Sequence, residues 1–132
     1  MLVISPRSYV TAAFDLLFPE LAEEVEKWLK RLRPDDWWQY YIYEPREEIF
    51  QKDELFKREQ YYGKPFPNNG CLEDLIEHFD EHYLDRLVNH SPQRPERERY
   101  SREREMADLI SDLSKIRNDW AHRGRRVLKR TT

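Results

Sequence analysis

Cysteine and glycine are scarce in this chain: of 132 residues one is cysteine, Cys71, and three are glycine. A lone cysteine excludes an intramolecular disulfide framework and fits a reducing cytoplasm. Three glycines are too few for the many tight turns of an all-β fold. No apolar run approaches the roughly 20 residues that a membrane span needs, so no membrane partner is expected. The N-terminus, MLVISPRSYV, lacks the charged leader and long apolar run of a secretory signal. A P-loop, a glycine-rich nucleotide fingerprint and a G-x-S-x-G elbow are all missing, which sets aside the common nucleotide-hydrolysing and serine-esterase chemistries.

What is present is charge and aromatic mass. Charged residues make up 37 % and aromatics 14 %, with four Trp, eight Tyr and six Phe. Such rings can seal a core that few aliphatics would fill, which argues against wholesale disorder. The length suits one domain, residues 1–132, with a core of modest size. Stretches of Glu, Lys, Arg and Leu favour helices. The formal net charge is −3, unevenly spread. From Lys115 to Thr132 seven Lys and Arg face one acid, Asp119, so this end carries +6 and the rest −9. An acidic body with a basic end suggests a polyanion docking at that end, although cations also suit a helix C-terminus.

The apolar periodicity predicts an all-α fold, a bundle of four to five helices. Val10, Phe14, Leu17, Leu21, Val25, Trp28 and Leu32 draw one stripe over residues 8 to 32. Pro19 either kinks a single helix there or opens a second one. Asp35 or Asp36 can cap a short helix leading into the densest aromatic run, Trp37 to Tyr43. That run reads as core, with base stacking on exposed rings as the alternative. A helix from Pro45 to Gln60 and a loop from Tyr61 to Gly70 follow. Leu72 to Asn89 reads as one helix with Leu72, Ile76, Phe79, Tyr83 and Leu87 buried. Ser91 to Glu105 reads as a solvated, charged connector. Its arginines, at 94, 97, 99, 102 and 104, can touch RNA, but interleaved Glu residues offset most of their field. The last helix is expected from about Arg102 to Arg123, with Leu109, Leu113, Ile116 and Trp120 on its buried face and Gly124 as its stop.

The chemistry concentrates in Arg117-Asn118-Asp119-Trp120-Ala121-His122. Asn118 and His122 are four apart and share a helix face, with Arg117 at its edge. An imidazole of unperturbed pKa near about 6.5 can take the proton from a ribose 2′-OH. The planar guanidinium fork of Arg117 suits the charge that builds on phosphoryl oxygens, and Asn118 can hold the phosphate or the histidine. One helix supplies one histidine, and a symmetric dimer would supply the acid opposite the base. Arg123, Arg125, Arg126, Lys129 and Arg130 form a basic tail suited to RNA phosphates. The plainer alternative has His122 capping its own helix and Arg117 pairing with Asp112 or Asp119. His78 and His82 share a spacing that can bind metal but lack a third ligand, so no metal and no other cofactor is expected. Cys71 has no activating partner and reads as inert.

The string IRNDWAH, within Leu109 to His122, resembles the R-x4-6-H motif of the HEPN superfamily (higher eukaryotes and prokaryotes nucleotide-binding), in the branch attached to defence helicases and transcript-surveillance nucleases. The resemblance implies an all-α bundle, a homodimer with the motif at its interface, and metal-independent endoribonuclease activity leaving a 2′,3′-cyclic phosphate. The roles fall on Arg117, Asn118 and His122. A long insertion at about 44–71 departs from compact members. Family members also include non-catalytic modules that dimerise or bind RNA, as well as toxins masked by an antitoxin partner or joined to an effector domain. Those remain the alternatives for this chain.

Overall fold

The computed structural model describes the backbone of residues 6–51 and 66–130, and side chains over 12–51 and 66–119. Among the described residues every regular element is helical. In chain order these are α1 (Pro6–Leu32), a π-helical segment π1 (Gln39–Tyr43), α2 (Arg46–Ile49), α3 (Leu72–His78), α4 (Glu81–Asp85), a second π-helical segment π2 (Arg86–His90) and α5 (Arg102–Arg130). The chain is therefore an all-α helical bundle. No helix of the described residues is long and apolar enough to cross a membrane.

α1 is a single helix with Pro19 inside it. Its inward face is wider than the expected stripe. Phe14, Leu21, Val25 and Trp28 are buried as anticipated, and Phe18, Ala22 and Leu29 join them. Leu32 stays partly exposed. Val10 lies outside the residues whose side chains are described.

The aromatic run is core. Trp37, Trp38, Tyr41 and Ile42 are buried against α1 and the helices that follow. Their rings are unavailable for stacking on bases. Asp36 does not cap a helix with its side chain. It instead receives two hydrogen bonds from Arg33, at 2.9 and 2.7 Å. Trp38 donates from Nε1 to the Pro67 carbonyl at 2.7 Å and stacks on Phe66. Gly70 fits against the same indole, because a Cβ there would sit 2.5 Å from the ring. The helix expected over Pro45 to Gln60 is realised as Arg46–Ile49, and beyond Gln51 the expectation lies outside the described residues. The loop expected over Tyr61 to Gly70 holds over its described part, 66 to 70.

The helix expected from Leu72 to Asn89 is broken. Phe79 is extended, at φ −114° and ψ 152°, and ends α3. Asp80 then caps α4 by accepting a hydrogen bond from the Tyr83 amide at 2.9 Å. A short polar side chain that satisfies an orphan helical N–H competes with helix continuation. The break drops the Phe79 ring into the core against Phe50, 5.1 Å between centroids. It also separates His78 from His82, so the two do not share one helix face.

Residues 91 to 101 form a largely exposed connector, as expected, that is pinned to the core at a few points. Ser91 and Pro95 are buried, and Arg97 donates to the Val88 carbonyl at 2.7 Å. α5 then runs without interruption through Gly124 to Arg130. Gly124 is not its stop. A single helical glycine costs only about 1 kcal/mol, and the Arg, Val, Leu and Lys that follow carry the helix on. The expected basic tail at 123–132 is helical as far as Arg130.

Candidate functional site

The site rests on how α5 packs. Its inward stripe is Ala107, Ile110 and Ser114, all buried. The spacing of three and four extends that stripe to Arg117. Small residues at 107 and 114 let the helix approach α4 and π2 closely. Asn89 on π2 clamps the contact by donating to the Ala107 carbonyl at 3.0 Å and to Asp85 at 2.7 Å.

This rotation corrects the expected faces. Leu109, Leu113, Ile116 and Trp120 were expected to be buried together. Leu109 is 45 % and Ile116 is 52 % exposed. Leu113 is partly buried, and the Trp120 side chain lies outside the described residues. Arg117 points inward where the sequence suggested an outward edge. Its Nη1 donates to Glu81 Oε2, forming an ion pair. Glu81 is 1 % exposed. Its Oε1 has no hydrogen-bond partner among the described residues. The Arg117 side chain remains 42 % exposed. The arginine thus bridges a buried carboxylate and the surface. Its partner is neither Asp112 nor Asp119.

Asn118, next to Arg117, is exposed. His122, Arg123, Arg125, Arg126, Lys129 and Arg130 all lie on α5, but their side chains are outside the described residues. The continuous helix keeps Asn118 and His122 one turn apart along its axis.

Glu81 is the residue that sequence reading missed. It stands in a run of acids and histidines, Glu77 to His82, that resembles a solvated face. The signal was Asp80. An N-cap there restarts the helix and turns the next residue inward.

Elsewhere, Asp74, Glu77 and His78 bring ligand atoms within 4.8 Å of one another and could hold a cation. Helix capping already explains part of this trio, because Asp74 accepts the Cys71 amide at 2.9 Å. The Cys71 thiol donates to Glu73 at 3.0 Å, which pushes its pKa up and keeps it protonated. That agrees with an inert thiol.

No family model, no curated protein and no solved structure matches this chain.

Proposed function

We propose that this chain is a metal-independent endoribonuclease of the HEPN type that acts as a homodimer. The observation that carries the reading is the placement of Arg117. A buried carboxylate fixes one edge of its guanidinium, while 42 % of the side chain stays open to a ligand beside exposed Asn118. A fixed guanidinium loses little rotamer freedom when it meets a phosphate.

In this mechanism His122 removes the 2′-OH proton of the ribose. The 2′-oxygen attacks the adjacent phosphorus, and the bond to the 5′-oxygen breaks. The leaving oxygen takes a proton from the partner's His122. The products are a 2′,3′-cyclic phosphate and a 5′-hydroxyl. Arg117 stabilises the charge on the phosphoryl oxygens and Asn118 positions the phosphate. Arg123, Arg125, Arg126, Lys129 and Arg130 extend a basic helix along which the strand lies.

Leu109, Leu113 and Ile116 support the dimer. They recur at i, i+4 and i+7 on α5, and two of them are exposed in the single chain. That spacing is an apolar seam of the helix-pairing kind, and it leads directly into the motif. A second α5 laid against it brings two copies of the motif together.

One observation favours a second reading, a non-catalytic module that dimerises or binds RNA for a larger assembly. The Glu81 carboxylate already offsets the Arg117 charge, which weakens its hold on phosphate. Sedimentation and RNA cleavage on the same preparations separate the two. The nuclease reading expects a dimer that leaves cyclic phosphate ends, and expects Leu109→Glu with Ile116→Glu to abolish both dimer and cutting. A folded dimer that retards RNA without cutting it supports the module.

A further inference from the structure

We propose that the cleft between the end of α1, π1 and the 92–97 connector is a second, separate site that binds a phosphate-bearing ligand. The cleft encloses about 910 Å³ and is lined by Arg33, Arg94, Arg97 and Arg104, with Tyr40 and Tyr41 at its wall. These four arginines come from three parts of the chain, and the fold gathers them. The sequence suggested that interleaved glutamates would offset the arginines of residues 91 to 105. The structure sorts them apart. Glu103 faces away to pair with Arg31, and of the acids in that stretch Glu96 alone lines the cleft.

The arginines are differently engaged. Arg33 is committed to Asp36 and lies over the Tyr40 ring at 3.8 Å from its centroid. Among the described residues Arg94, Arg97 and Arg104 form no ion pair. Arg97 is half-buried, with one N–H held by the Val88 carbonyl and the rest of its fork free. Burial first, and then the nearby charges of Arg104 and Arg94, push its pKa down, while Asp108 opposes them in part. Like charges gathered in a partly buried cleft are held at an electrostatic cost that an anion relieves. Three arginines lining one space suit an oxyanion with several oxygens and more than one charge, which describes a phosphate better than a lone carboxylate.

Arg104 and Arg117 are thirteen residues apart on one helix, about 20 Å along its axis. The cleft is therefore not part of the motif site, and it stands whether or not the motif cuts RNA. A free nucleotide and an RNA strand both carry the required phosphate.

The test is calorimetric titration of the full chain at low salt with pyrophosphate, ADP and a short single-stranded RNA lacking terminal phosphates. Wild type is compared with the double variant Arg94→Gln, Arg104→Gln and with Lys27→Gln, which alters an exposed cation outside the cleft. Both arginines are exposed, so the double variant should keep its helical circular dichroism. The expected result is binding of pyrophosphate or ADP that weakens at least about tenfold in the double variant and is unchanged in Lys27→Gln. RNA binding with the same variant pattern, without nucleotide binding, assigns the cleft to phosphodiesters and also supports the proposal. Binding that is equal in wild type and the double variant overturns it, as does the absence of binding by all three probes.

Discussion

Removing Arg117 should destabilise the fold by an amount that its surface exposure alone would not suggest. The guanidinium neutralises Glu81, which is 1 % exposed and already has one oxygen without a partner among the described residues. Deleting one member of a fully buried pair costs about 3–5 kcal/mol. Arg117 is 42 % exposed, so water can enter where it stood, and the expected cost falls to about 2 kcal/mol. For a domain of this size that corresponds to a Tm drop of roughly 7 °C. Glu81→Leu should cost less, about 1 kcal/mol, because the arginine left behind can turn to solvent. The double variant Arg117→Met, Glu81→Leu replaces the pair with apolar groups and should recover most of the loss. Urea denaturation of the four proteins gives the cycle, with an expected coupling of about 1–2 kcal/mol. Additive costs, or an Arg117→Met penalty below about 0.5 kcal/mol, would refute the argument that Glu81 depends on this arginine. The cycle also guards the functional reading, since an Arg117 variant can lose activity by loosening the fold alone.

Other outcomes follow from the packing. Gly70→Ala puts a Cβ 2.5 Å from the Trp38 ring and should cost about 1–3 kcal/mol, read from tryptophan fluorescence during denaturation; an unchanged midpoint would mean the indole is free to move. Asp80→Ala removes the cap on the Tyr83 amide and should cost about 1 kcal/mol in the same assay. A neutral result there would show that the break at Phe79 is held by ring packing alone. The Asp36 carboxyl is held below its usual range, chiefly by the hydrogen bond from Arg33. A lowered folded pKa gives stability that is present above the unfolded value and lost as pH falls through the folded one. Carbon-detected titration should therefore show Asp36 protonating at lower pH than in Arg33→Gln, and identical curves would contradict the pairing.

Much of the fold was legible because it rests on periodicity. The α1 stripe, the buried tryptophans and the long final helix each follow from apolar spacing that local propensity supports. What the sequence hid depends on competition between elements. Phe79 and Asp80 fit a continuous helix by pattern, yet capping by Asp80 and burial of the Phe79 ring win together. Leu109 and Ile116 look like core because they are apolar at helical spacing. The face that packs is Ala107, Ile110 and Ser114, whose small side chains allow close approach. Gly124 looked like a stop, but the residues after it keep the helix going. Of the candidate site, the motif and its helix were readable. The Glu81 partner was not, because it depends on how α4 restarts. Nor was the arginine cleft, because charge order along a chain does not reveal which side chains turn the same way.

The measurement closest to the central claim is cleavage of a mixed RNA pool in excess EDTA by the wild-type chain and by His122→Ala. The account predicts cutting by the wild type, with cyclic phosphate ends, and none by the variant at equal circular dichroism. Cutting that survives His122→Ala, or a folded wild-type dimer that cuts nothing, would contradict it.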